Sequence, residues 1–178
     1  MPNTAPIAAA RPSQGRFELP DEAATTRLGT ALGAALDAMT DTIATSGLVI
    51  TLSGELGAGK TTLIRAVLRR LGVSGAVKSP SFSLLELYAL SRLNFYHFDF
   101  YRFSNPEEFE SLGFRDFFGA ASICAIEWPE RAGDRNFNTD LRIQLQLAGD
   151  GRLALVDSLT QSGHQCLNSI LRAWASPS

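Results

Sequence analysis

The run Gly54-Glu55-Leu56-Gly57-Ala58-Gly59-Lys60-Thr61 follows the apolar stretch Leu48-Val49-Ile50-Thr51-Leu52 and precedes residues with helical periodicity. Strand, glycine-rich loop and helix in that order satisfy G-x-x-x-x-G-K-[ST], and they confine the chain to layered α/β architectures. Glycines let successive backbone N–H groups turn inward around a phosphate, and the N-terminus of the following helix adds the positive end of its dipole. Lys60 then reaches the β- and γ-phosphates as a point charge, and the Thr61 hydroxyl takes one position on Mg²⁺. Thr62 stands behind it on the helix and is counted with the nucleotide-binding residues. An ordinary strand-to-helix turn needs one or two glycines and no lysine.

The length, 178 residues, and a hydrophobic content of 45% suit one globular domain with one core, expected over residues 16–175. A formal charge of −2 gives no basic footprint, so contact with nucleic acid would be local or delegated to a partner. Cys124 and Cys166 fit no metal spacing and read as buried thiols in a reducing, cytoplasmic compartment. No apolar run approaches the ~18 residues of a membrane span. Residues 1–15 are rich in Ala, Pro and Ser and are expected to form a disordered tail. Arg11, Arg16 just beyond the stretch and the absence of acid keep an organelle transit peptide as the alternative.

Order is expected from the short strand Arg16-Phe17-Glu18-Leu19, followed by a helix that starts at Pro20-Asp21-Glu22 and carries Leu28, Leu32, Ala35, Leu36 and Met39 on one face. After the glycine-rich loop, Leu63, Ile64, Val67, Leu68 and Leu71 form a helix face that Gly72 closes. Lys78-Ser79-Pro80-Ser81-Phe82 either passes near a γ-phosphate, where a hydroxyl senses it, or is a proline turn with serine caps; spacing alone does not choose.

Two strands end in acids. In Leu93 to Arg102, period-2 counting puts Leu93, Phe95, His97 and Asp99 on one face, with Asp99 at the strand end, where open α/β sheets bind ligands. His97 reads as a half-buried hydrogen-bonding side chain. Ala121 to Ile126 is apolar without alternation, as in a strand covered on both faces, and it ends in Glu127. A strand-terminal acid is what a phosphate-loop protein uses to hold Mg²⁺ opposite the loop hydroxyl; an N-cap substitute or a surface ion pair is the alternative for Glu127. Asn105-Pro106-Glu107-Glu108 is a helix start, which accounts for its acids. Leu141 to Val156, turning at Gly149-Asp150-Gly151, is a hairpin with one wet face, and Ser162 to Gln165 looks like the capping box of a last helix with Leu167, Ile170, Leu171 and Trp174 inward. The fold class that follows is α/β: a P-loop NTPase-like mixed sheet flanked by helices, with antiparallel hairpins.

The strings GELGAGKTT, VKSPSFSLLELY, FYHFDFYRFSNPEEFESLGFRDFF and AIEWPER, in that order and at those separations, resemble the bacterial tRNA threonylcarbamoyladenosine biosynthesis ATPases, the TsaE family. The likeness runs from about Phe17 to Leu171. It departs at Ser81, where the family usually has Thr, and at Phe100, where it usually has Leu. The resemblance implies a cytoplasmic ATPase that binds TsaD within an assembly with TsaB. There it supports formation of the threonylcarbamoyl group on adenosine 37 of tRNAs reading codons that begin with A, meeting tRNA only through the complex. It further implies Leu56, Gly57, Ala58, Gly59, Lys60 and Thr61 as the phosphate cradle, Thr61 and Glu127 as Mg²⁺ ligands and Asp99 as the acid needed for ATP hydrolysis. Glu22 and Gly151 are implied at the border of the nucleotide. The competing class is a small-molecule or nucleoside kinase, whose lid arginines would be Arg131 and Arg135 in the polar stretch 129–138. A GTPase lacks support because the chain has no Asn-Lys dipeptide, and a nucleotide-gated binding module without turnover would leave Asp99 unused.

Overall fold

Seven strands form one mixed sheet: β1 (Ser13–Leu19), β2 (Leu48–Gly54), β3 (Leu85–Ala89), β4 (Asn94–Asp99), β5 (Ser122–Glu127), β6 (Leu141–Ala148) and β7 (Gly151–Ser158), in the order β1-β7-β6-β2-β5-β4-β3. The structure, a computed structural model, describes residues 13–80, 82–133 and 135–176. The four inner strands β6, β2, β5 and β4 run parallel, and antiparallel neighbours flank them: β7 and β1 on one side, β3 on the other. This is the mixed sheet with hairpins that the sequence predicts. Every residue of β5 is buried, as its unbroken apolar run requires of a central parallel strand.

Side-chain alternation along β5 separates two layers. Ile123 and Ala125 face a core shared with α1 (Glu22–Ala38), α3 (Lys60–Arg70) and α5 (Gln161–Ala175), with Leu28, Leu32, Val67 and Leu167 packed against Ile50 and Ile143. Cys124 and Ile126 face an aromatic cluster of Phe98, Phe100, Phe103, Phe109, Phe114 and Phe137, in which Phe100 and Phe103 stack at 4.5 Å. That second layer is built mostly from the connection between β4 and β5, including the single-turn α4 (Glu108–Ser111). Both thiols are free and buried, and burial pushes each up to about 12, as the inert reading requires.

Asp21 caps α1, its carboxylate accepting from Ala24 N at 2.7 Å. The helix then lies unusually close to α3. A Cβ on Gly29 would stand 2.5 Å from the Leu63 carbonyl oxygen, so only glycine lets the helix behind the loop sit there. The short α2 (Thr40–Ser46) leads into β2. Around Asn105 the capping chemistry is present, with Glu108 Oε1 accepting from Ser104 N and Asn105 N, although the helix itself begins only at Glu108.

Three expectations need correction. β1 starts at Ser13, inside the stretch read as a tail, because β7 runs to Ser158 and the Ser13 and Ser158 hydroxyls meet at 2.7 Å; residues 1–12 lie outside the described residues. The cap of α5 is Thr160, not Ser162. Thr160 Oγ1 accepts from Gly163 N at 3.1 Å while its own hydroxyl is held by Asp140, which fixes the helix start two residues earlier. Leu147, next to the end of β6, and Leu171, off the inward stripe of α5 that continues to Trp174, are 55% and 38% exposed. Among the described residues no helix is long and apolar enough to cross a membrane.

Candidate functional site

Because β2, β5 and β4 are neighbours and parallel, their carboxyl ends emerge on one edge of the sheet. The register pairs Glu127 with Leu52 on one side and with Asp99 on the other, so the two acids and the loop leaving β2 converge. They line a cleft of about 410 Å³ together with Lys60, Thr61, Thr62 and Ser79.

The loop turns through two left-handed glycines, Gly57 (φ 80°) and Gly59 (φ 105°), and Gly59 immediately precedes α3. Lys60 is only 4% exposed. Its Nζ donates to Gly54 O at 2.8 Å and Glu55 O at 3.0 Å and lies 3.9 Å above the Trp128 ring. Burial lowers its pKa, against the opposing attraction of Glu127, Asp99 and Glu130. The ammonium is thus held by two carbonyls and a ring, a site that gains when an anion is brought to it. Ala58 is buried and Leu56 is 71% exposed, so one flank of the loop packs and the other faces out.

Thr61 Oγ1 donates to Glu127 Oε1 at 2.9 Å. Glu127 is 2% exposed, which removes the surface ion pair as an explanation of it. His97 is fully buried rather than half-buried, and its Nε2 meets the same Oε1 at 2.9 Å, because β4 and β5 are adjacent and both side chains stand on the helix side of the sheet. Asp99 is buried beside them: Oδ1 accepts from Tyr101 N at 3.0 Å and Oδ2 accepts from the Ser79 hydroxyl. Among the described residues no three His, Cys, Asp or Glu side chains form a metal-binding group. That fits Mg²⁺ at one hydroxyl and one carboxylate with the remaining positions left to phosphate and water, and does not fit an all-protein cage.

Glu22 is exposed in the first turn of α1, and the residue of that turn nearest the loop is Thr25, whose methyl would lie 3.6 Å from a Cβ on Gly59. Gly151 packs against Leu19 and Pro20, while its neighbour Arg152 reaches the loop and donates from NH2 to Gly57 O at 3.3 Å. Arg152 Nε is buried without a partner among the described residues. Arg102 lies over the Phe82 ring at 4.6 Å and forms no ion pair with Asp99 among those residues. Arg135 is committed to Glu110 at 2.6 Å and to Pro106 O at 2.9 Å, and Arg131 lies over Tyr101. Ser81 lies outside the described residues.

Sequence reasoning left Ser79 as one of two candidate hydroxyls, read His97 only as a half-buried hydrogen-bonding side chain, and did not name Arg152. The signal for Ser79 was its place in the polar segment before β3, and for His97 its shared face with Asp99. Arg152 had only its nearness to the glycine turn.

The family described as threonylcarbamoyl adenosine biosynthesis protein TsaE matches residues 19–153. A tRNA threonylcarbamoyladenosine biosynthesis protein TsaE of Haemophilus influenzae is 38% identical over 122 residues, covering 68% of this chain and 77% of the relative. Those of Treponema pallidum (34% identical, 71% and 87% covered) and Bacillus subtilis (35%, 65% and 72%) are similar as well. Among solved structures, that of YdiB from Bacillus subtilis superposes with a TM-score of 0.73 over 91% of this chain and 97% of that one, at 24% identity, which shows the shared fold.

Proposed function

The chain belongs to the TsaE family of threonylcarbamoyl adenosine biosynthesis proteins, and on that premise we propose that it is a cytoplasmic, Mg²⁺-dependent ATPase acting with TsaD and TsaB. Its work is to support formation of the threonylcarbamoyl group on adenosine 37 of tRNAs reading codons that begin with A. The observation that carries the reading is the convergence of Lys60, Thr61, Asp99 and Glu127 in one cleft from the ends of three neighbouring strands.

The backbone N–H groups from Leu56 to Thr61 would take the phosphates, and Lys60 would leave the Gly54 and Glu55 carbonyls for the β- and γ-oxygens. Thr61 and Glu127, whose side chains meet in the cleft, would hold a magnesium ion. Such an ion would supply charge that stabilises the phosphoryl oxygens. Asp99, fixed by Ser79 and Tyr101, orients the attacking water. Arg152, at the loop with an Nε–H that has no partner among the described residues, would join Gly151 at the nucleotide border.

Phosphoryl transfer also needs positive charge on the γ-phosphate beyond the loop lysine. Arg102 points over an exposed phenylalanine and Arg135 is tied to Glu110, so a partner is the better source. The cleft mouth suits one: Leu56, Phe82 and Tyr101 are 71%, 87% and 39% exposed there. The same engagement of Arg135 weighs against a kinase lid. Co-purification with TsaD, followed by reconstituted transfer of the threonylcarbamoyl group to tRNA, tests the proposal. Transfer is expected to need ATP and to fail with Lys60→Ala; transfer at full rate with that variant would overturn it.

A further inference from the structure

His97 has no part in that account, and its surroundings do not explain it. The ring is 0% exposed, on the helix side of the sheet among Phe95, Ile123 and Ala125. Its Nδ1 has no partner among the described residues, so half of the ring's hydrogen-bonding capacity is spent on nothing. A buried polar atom left unpaired costs on the order of 1–3 kcal/mol, and a leucine in this layer would avoid the cost. What the ring does make is one hydrogen bond, from Nε2 to Glu127 Oε1. The carboxylate oxygen accepts, so Nε2 carries a proton.

Oε1 has two donors, the His97 ring and the Thr61 hydroxyl at 2.9 Å each, while Oε2 accepts no hydrogen bond among the described residues. The two donors are not equivalent. When Thr61 turns to a metal ion it leaves Glu127, and His97 becomes the one side chain still holding that carboxylate. A glutamate has three side-chain torsions, and fixing them in advance is what a hydrogen-bonded outer partner does for a metal ligand.

We propose that His97 is a positioning residue for the metal: its Nε2–H locks the Glu127 carboxylate so that the second oxygen is presented to Mg²⁺ when Thr61 departs. The inference rests on the assignment of Glu127 and Thr61 to Mg²⁺. It requires His97 to set magnesium affinity without setting affinity for the nucleotide itself, because among the described residues the ring forms no hydrogen bond to the loop or to Lys60.

The test is calorimetric titration of ADP into the full chain, first in EDTA and then over a series of Mg²⁺ concentrations. His97→Gln keeps an N–H near the position of Nε2, His97→Asn ends one bond short of it, and His97→Leu removes it. The Leu and Asn variants are expected to need about 10- to 100-fold more Mg²⁺ for half of the metal-dependent gain in affinity. His97→Gln is expected within about threefold of wild type, and all three are expected to keep the wild-type affinity in EDTA. Should His97→Leu not fold, the Gln and Asn pair carries the same comparison. Equal magnesium requirements for Gln and Asn, or an equal loss of affinity in EDTA, would overturn the positioning role. Wild-type affinity indifferent to Mg²⁺ would instead overturn the metal assignment, and this inference with it.

Discussion

The two ends of the parallel strands each carry a cavity and a partly or fully buried acid, yet they differ in kind. At the amino end the cavity is the larger, about 510 Å³ against 410 Å³, and is walled by Phe109, Phe118 and Phe137. Its acid, Asp140, is consumed by the fold: Oδ2 accepts from Val49 N at 2.8 Å and Oδ1 from the Thr160 hydroxyl at 2.5 Å, which ties the start of β2 to the cap of α5. At the carboxyl end Glu127 Oε1 accepts from the Thr61 hydroxyl and the His97 ring, Asp99 accepts from the Ser79 hydroxyl and Tyr101 N, and Lys60 donates to two loop carbonyls and lies over a ring. Cavity size therefore misleads here. An acid whose two oxygens tie a strand start to a helix cap is spent on the fold, whereas acids set beside Lys60 and Thr61 of the glycine-rich loop are placed to serve a site.

The comparison can be broken from either side. The largest effect is expected from Asp99→Asn, which keeps the shape and should lower partner-stimulated ATP hydrolysis about 10²- to 10⁴-fold while nucleotide affinity stays near wild type. Loss of affinity in place of rate would make Asp99 a structural acid like Asp140. Lys60→Ala should weaken ATP binding by about 2–3 kcal/mol in titration, since it removes charge-assisted hydrogen bonds to the phosphates. Thr61→Ala and Glu127→Ala should each raise the Mg²⁺ needed for tight binding roughly tenfold or more; retained wild-type magnesium dependence would return Glu127 to a purely structural role. On the other side, Asp140→Ala should destabilise the fold by about 1–3 kcal/mol in denaturant titration, leaving an amide and a hydroxyl without their acceptor, with ATP affinity unchanged.

The smallest effect sharpens the contrast by pH. Burial lowers the Lys60 pKa below its usual 10.5, so between the lowered value and 10.5 the unfolded chain binds more protons at this site. Stability from Lys60 accordingly rises with pH through that window, and the melting temperature of Lys60→Met relative to wild type should fall across it. A constant difference would mean that the ammonium is not desolvated. The Tyr88 hydroxyl, raised by burial, acts in the opposite direction but equally in both proteins.

How much of this was legible depends on whether the information is local. The loop, with Lys60 and Thr61, is a contiguous pattern whose physics needs no partner, and Asp99 and Glu127 could be placed at strand ends by counting alternation and apolar runs. Their adjacency is another matter, because it follows from the strand order β2-β5-β4, which no local pattern encodes. For the same reason His97 read as half-buried and Ser79 was one of two candidate hydroxyls in a turn: each is defined by a residue at least 20 positions away. Arg152, beside the glycine that the resemblance implies at the nucleotide border, reaches the loop through a contact between residues 95 positions apart, which no turn pattern encodes. The cap of α5 was misplaced because Ser162 spells a capping box locally, and only Asp140 decides in favour of Thr160.

The claim on which the rest depends is that the carboxyl-edge cluster is an ATPase site completed by a partner. Single-turnover hydrolysis of ATP, with and without the TsaD–TsaB complex, measures it most directly. The account predicts slow hydrolysis by the chain alone and a rise of about 10³- to 10⁵-fold with the complex, shared by Asp140→Ala where that variant is folded and lost in Asp99→Asn. Equal rates in the presence and absence of the complex, or an undiminished Asp99→Asn, would contradict it.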